Sequence, residues 1–289
     1  MHKLALFFVS FFWGVSFIFT KQYLEVIHPL LFTAWTFLLA GGIFFILAKG
    51  RSKQPLTFRL REGMILGVFL FFLEAPQMIG LSETSAANTA FITSLGILLI
   101  PLAEWVIYRR AVTLYTWLAL LVAGFGLYYL TGGIGVMNRG DAWVILAALG
   151  CMLYMVYSDH YEKEERSDLF VLCTQQFLTV GLLALSMAFL TQVSIVVVPS
   201  HLYMPLVYLT LFFTFVPYLL IQWAERYASE VEVTFYGILE PVIGGIAAWT
   251  IGRESPTLMM VIGGILVIGA LIVSETRKVV LTPVRTDGR

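Results

Sequence analysis

Apolar stretches of about 20 residues follow one another from Leu4 to Ser274, and no polar interval between them is much longer than Lys49 to Glu62. A helix rises 1.5 Å per residue, so each stretch matches a bilayer core of about 30 Å. Ten spans are expected: Leu4 to Phe19, Pro29 to Ala48, Gly63 to Leu81, Ala86 to Tyr108, Tyr115 to Thr131, Ala142 to Ser158, Leu169 to Thr191, Leu206 to Ala224, Val231 to Ile251 and Leu258 to Ser274. Composition agrees, because 12% charged and 59% hydrophobic residues lie far from the one-quarter charged share of a soluble domain. The first stretch lacks a small-x-small cleavage site and is read as a helix, not a secretory signal. The intervals leave no room for a soluble catalytic domain, and no G-x-x-x-x-G-K-[ST] run occurs.

Ten spans put both termini on one side. On that reading 15 of the 18 basic residues fall at the end that holds the termini, and only Lys21, Arg139 and Arg253 fall at the other. Basic segments stay in the cytoplasm, so both termini are expected there.

The chain also repeats itself. "LFFLEAP" (Leu70 to Pro76) lines up 141 residues later with "LFFTFVP" (Leu211 to Pro217). At an offset of 144, pairs such as Ser85/Ser229, Phe91/Phe235, Trp105/Trp249, Arg109/Arg253 and Leu114/Leu258 coincide. The expected division is a first five-helix repeat over 1–138, a second over 139–276 and a cytoplasmic tail over 277–289. Five is odd, so the second copy would cross in the opposite sense, and inverted repeats are typical of secondary transporters with a site near the midplane.

Two carboxylates lie inside these apolar runs. Glu74 sits about 17 Å and Glu240 about 14 Å into its span at 1.5 Å per residue, where an ionised group costs about 2.5–3.5 kcal/mol and should face a cavity or a partner. Glu74 aligns with Phe215 and Glu240 with Gly96, so neither belongs to the duplicated scaffold. Gln77 extends the Glu74 stripe by one turn. Pro76, Pro217 and Pro241 each deprive the carbonyl four residues earlier of its helical donor, which makes them candidate hinges. Gly237 and Gly244 share a face with Glu240 and are expected to leave space beside it, while Gly244 with Ala248, like Ala119 with Ala123, also has the i, i+4 spacing that suits close helix packing alone. Trp13, Tyr154, Tyr157, Tyr218 and Trp223 are candidate aromatic walls, able to stack on planar or cationic solutes. Blander roles compete: Glu240 as the anchor of a kink through an interhelical hydrogen bond, the aromatics as packing or lipid-facing groups. Ser229 and Glu232 spell a capping box, and Glu104 lies near a boundary. Cys151 and Cys173 have no metal-type spacing, and the four histidines fall near span ends or in loops.

"ILEPVIGGIAAWTIGRES" (Ile238 to Ser255), "IGGILVIGALIV" (Ile262 to Val273) and "TSAANTAFITSLGILLIPL" (Thr84 to Leu102) resemble the EamA-type branch of the drug/metabolite transporter superfamily over essentially the whole chain. The resemblance departs at Arg109 and Arg110, where that family often has Gly-Glu. It implies an all-α inner-membrane exporter of amino acids, metabolites or toxic small molecules working by alternating access. The expected partners are a small-molecule solute and membrane lipid, with proton exchange as a coupling option, and neither nucleic acid nor cofactor. The other reading from a different class is a membrane-embedded enzyme acting on lipid-linked substrates, which would need a nucleophile, base or metal cluster at an interface.

Overall fold

A computed structural model describes residues 1–109, 114–130, 137–162, 168–193, 200–225, 227–228, 233 and 236–281. All regular structure among them is helical. The helices are α1 (His2–Leu24), α2 (Pro29–Arg51), α3 (Leu60–Glu83), α4 (Ala86–Tyr108), α5 (Leu114–Leu130), α6 (Arg139–Glu162), α7 (Leu169–Leu190), α8 (Tyr203–Leu209), α9 (Val216–Glu225), α10 (Leu239–Thr250) and α11 (Leu258–Leu281). Seven segments, α1 to α4, α6, α7 and the composite Ser200–Ala224, are long and apolar enough to cross a membrane. Leu114–Leu130 and Leu258–Val273 are shorter apolar helices. Side chains such as Leu114, Leu118 and Leu121 of α5 and Phe189 and Leu190 of α7 are exposed, as on helices whose outer solvent is lipid.

Two helices expected as single spans are broken, each near a proline. In the eighth, a π turn over Thr210–Phe215 separates α8 from α9. Pro217 has no N–H for the Phe213 carbonyl, and the frame widens so that the Val216 N–H reaches Leu211 O, five residues back. In the ninth, a turn at Ile238 precedes α10, and Pro241 falls in the first turn of the new helix, where a missing N–H costs nothing. Ile238 itself keeps helical dihedrals, so the interruption is the hydrogen bond that Pro241 cannot give to the Gly237 carbonyl. Pro76, by contrast, lies buried within the continuous α3.

The helices pack through small residues. Gly150 of α6 lies against the Phe72 carbonyl, the group that Pro76 leaves without a helical donor; a Cβ on Gly150 would stand 2.4 Å from it. Gly96 of α4 rests on Ala148 and Cys151, and Gly126 of α5 on Gly263 of α11. Ala119 and Ala123 lie in the α5–α11 seam. In outline α2 packs on α7, α5 on α11, α4 on α6 and α10, α3 on α6 and α7, and α1 on α9 and α10.

Polar ties close the two ends. At the end that holds the C-terminus of α1, Glu254 accepts hydrogen bonds from Ala86 N (2.7 Å) and Ala87 N (3.2 Å) in the first turn of α4, and Lys21 Nζ lies 3.3 Å away. Beside it Asp141 accepts from Thr84 Oγ1 (2.6 Å) and Asn88 Nδ2 (3.1 Å). At the opposite end Asp168 caps α7 and accepts from Ser52 Oγ at 2.7 Å, while Gln175 Nε2 donates to Leu56 O and Phe58 O.

His28 caps α2, its Nδ1 accepting from Leu30 N at 3.2 Å. Burial lowers its pKa below the ordinary 6.5, and protonation would remove the acceptor. A lowered folded pKa means stability that is present above about pH 6.5 and lost as pH falls through the folded value. We expect the melting temperature of the wild type to drop on acidification from pH 7.5 to 5.0 by more than that of His28→Asn, whose cap does not titrate. Equal drops in a thermal unfolding series would remove His28 as the cause.

Candidate functional site

A cavity of about 130 Å³ opens between the helices, room for about four water molecules. Its wall is assembled face by face. Trp13, Ser16, Phe17 and Thr20 come from one stripe of α1, and Phe32, Thr33, Thr36 and Phe37 from one stripe of α2. Leu73, Glu74, Gln77 and Met78 come from α3. Thr93, Cys151, Leu209, Phe213, Thr214, Tyr218 and Glu240 complete the lining from α4, α6 and the α8–α10 region.

Five of the six side chains singled out as substrate-binding therefore share one cavity: Glu74, Gln77, Glu240, Trp13 and Tyr218. Tyr154 is not in the lining. Its hydroxyl donates to Gln176 Oε1 at 2.9 Å, and its ring packs in the cluster around Tyr218, behind the wall. Tyr157 packs on Phe69 with ring centroids 4.6 Å apart, and Trp223 is exposed beside Tyr227.

The carboxylates differ in their surroundings. Glu74 accepts a hydrogen bond from Tyr218 Oη at 3.1 Å, a contact from α3 to α9. Tyr218 is itself fixed by edge-to-face contacts to Trp13 (5.3 Å) and Phe177 (4.9 Å). Gln77 Nε2 donates to Thr93 Oγ1 at 3.0 Å, tying α3 to α4. Among the described residues no hydrogen bond or ion pair reaches the Glu240 carboxylate, so none of them supplies the interhelical bond that a kink anchor requires. Glu240 stands in the first turn of α10, where the helix dipole favours negative charge. Both carboxylates are half-buried, and the surface they retain faces the cavity.

Gly244 does not leave space beside Glu240. A Cβ there would stand 2.8 Å from Ala90 Cβ and 3.3 Å from Gly14 O, and one on Gly14 would stand 2.9 Å from Glu240 O. The glycines instead let α1, α4 and α10 approach closely, and that crossing sets the height of Glu240 against α1. Gly237 is looser, with only Ile97 Cδ1 at 3.7 Å from an added Cβ.

Periodicity could have found the hydroxyls that sequence reasoning passed over. Ser16 and Thr20 follow Trp13 at three and seven residues, and Thr33 and Thr36 are three apart, so each set marks one helical face. The capping-box reading of Ser229 and Glu232 and the side chain of Glu104 lie outside the described residues. Neither Cys151 nor Cys173 is in a disulfide.

Two stretches, residues 3–132 and 138–276, each match a model of the EamA-like transporter family. A protein of Archaeoglobus fulgidus described as an uncharacterized transporter is 26% identical over 274 residues, covering 95% of this chain and 85% of the relative. One of Methanothermobacter thermautotrophicus, described in the same words, is 24% identical over 293 residues, covering 91% and 83%. A solved crystal structure shares the fold with a TM-score of 0.64 at 19% identity, over 97% of this chain and 99% of the other.

Proposed function

The chain belongs to the EamA-like transporter family, and as a multi-pass membrane transporter by that kinship we propose that it moves a small solute by alternating access around the Glu74–Glu240 cavity. The observation that carries this reading is the origin of the lining: Trp13 and Glu74 come from the first matched stretch, Tyr218 and Glu240 from the second, so the cavity lies between the two halves. Ten spans in two inverted five-helix repeats, over 1–138 and 139–276, fit the packing. α2 pairs with α7 and α5 with α11, as helices five spans apart do about a two-fold axis. The α3–α6 contact is likewise matched by that of α1 with α9. The distribution of basic residues supports cytoplasmic termini in an inner membrane, and export is the direction that the family resemblance carries. Proton exchange at the two carboxylates is the proposed coupling, and flux indifferent to an imposed pH gradient would leave facilitated diffusion. The pairing around Pro76 and Pro217 supports these two as flexing points.

Alternating access requires the ties at one end to break while those at the other hold. The Glu254 tie joins the two halves through charge-assisted hydrogen bonds to a helix N-terminus and through Lys21. Glu254→Gln keeps an acceptor but removes the charge. We expect it to raise several-fold the rate at which a membrane-impermeant thiol reagent, added from the periplasmic face, modifies Cys151; an unchanged rate would dismiss Glu254 as a latch. The solute itself is to be sought by thermal-shift screening of amines, amino acids and nucleosides on detergent-purified protein. A solute at a hundred times its Kd should stabilise the fold by about 2.7 kcal/mol. A stabilising solute whose effect survives substitution of both Glu74 and Glu240 would remove the site assignment.

A further inference from the structure

Resting on the reading of the cavity as the solute site, we propose that the solute is an organic cation, a protonated amine on a compact aromatic or apolar body, and that anions and amino-acid zwitterions are poor ligands. Charge is the first ground. Glu74 and Glu240 both open on the cavity, and no Lys, Arg or His is among its described lining residues. The described ion pairs, Lys21–Glu254, Arg59–Glu62 and Arg139–Glu83, lie at helix ends. No described wall residue neutralises the carboxylates, so a cation supplies a charge that the described lining lacks, whereas a zwitterion would add a third carboxylate to a space of about four waters.

Hydroxyl geometry is the second ground and is independent of the carboxylates. A hydroxyl has one proton to donate and lone pairs to accept with. Thr20, Thr93 and Thr214 also line the cavity and donate to no described residue, but three other protons are already committed: Ser16 Oγ donates to Trp13 O at 2.6 Å, Thr33 Oγ1 to Pro29 O at 3.0 Å and Thr36 Oγ1 to Phe32 O at 2.9 Å. Tyr218 Oη is spent on Glu74. What these groups can still offer a solute is lone pairs. The lone pairs of Ser16, Thr33 and Thr36 suit an ammonium, which carries donors only, and the exclusion of anions rests on the two carboxylates. The Trp13 and Tyr218 rings, 5.3 Å apart and steeply inclined, add faces on which a cation is attracted by the ring quadrupole.

Three probes of one body test this: 2-phenylethylamine, phenylalanine and 3-phenylpropionate present the same ring as cation, zwitterion and anion. The full chain, carrying Cys173→Ser so that Cys151 is the reporter, is treated with methyl methanethiosulfonate in detergent, and protection of Cys151 is followed by mass spectrometry beside the thermal shift. The amine should protect at a concentration at least about tenfold lower than either of the others. Glu74→Gln with Glu240→Gln should erase that preference; should the double variant fail to fold, each single variant should weaken protection by the amine. Protection by phenylalanine or phenylpropionate at an equal or lower concentration overturns the cation assignment while leaving the cavity as the solute site. A thermal shift from the amine without protection of Cys151 overturns the cavity reading itself. No binding of any probe at millimolar concentration overturns the amine class.

Discussion

Glu74→Gln and Glu240→Gln are each expected to cut solute flux in reconstituted vesicles by about tenfold or more, and the double variant to abolish it. Glutamine preserves shape and, at position 74, an oxygen to accept from Tyr218 Oη, so a loss would report the missing charge and not a collapsed wall. Tenfold corresponds to only about 1.4 kcal/mol, less than the cost of placing one carboxylate at that depth. That cost, met twice, once in α3 and once in the first turn of α10, is the ground for proposing that transport uses both. Full flux in both single variants would separate the carboxylates from transport.

The largest effect on stability is expected at Gly150. An added Cβ would lie 2.4 Å from both the carbon and the oxygen of the Phe72 carbonyl, which are backbone atoms that cannot rotate away. Gly150→Val should force α6 from α3 and destabilise the fold by about 3 kcal/mol, a fall of roughly 6–12 °C in Tm. Gly42→Val, where an added Cβ meets nothing within 4 Å, serves as the control and should melt near the wild type. Equal melting of both variants would show that the α3–α6 contact is not as close as described.

Glu74 and Glu240 were legible in the sequence because ionisable groups in an apolar run have few places to go. The aromatic partners were half legible. Trp13 and Tyr218 line the cavity, yet Tyr154, equally aromatic and equally placed within a span, hydrogen-bonds to Gln176 one layer behind. Composition cannot distinguish wall from backing, because both want a large ring with one polar atom. Proline positions announced irregular helices but not their form: Pro76 is absorbed within α3, Pro217 follows a π turn and Pro241 begins a helix. The difference lies in which neighbours satisfy or avoid the freed carbonyl, and that depends on packing between helices far apart in sequence. Gly244 teaches the same lesson, since a missing side chain is space only if no other helix fills it, and here Gly14 and Ala90 do.

The central claim, that solute passes through the cavity between the two halves, is tested most directly by filling that cavity. In the Cys173→Ser protein, a benzyl-bearing thiol reagent attached to Cys151, which lines the cavity, should stop flux in proportion to the fraction modified, while Cys151→Ala should transport and ignore the reagent. Full flux through protein whose Cys151 is shown by mass spectrometry to be completely modified would contradict the account.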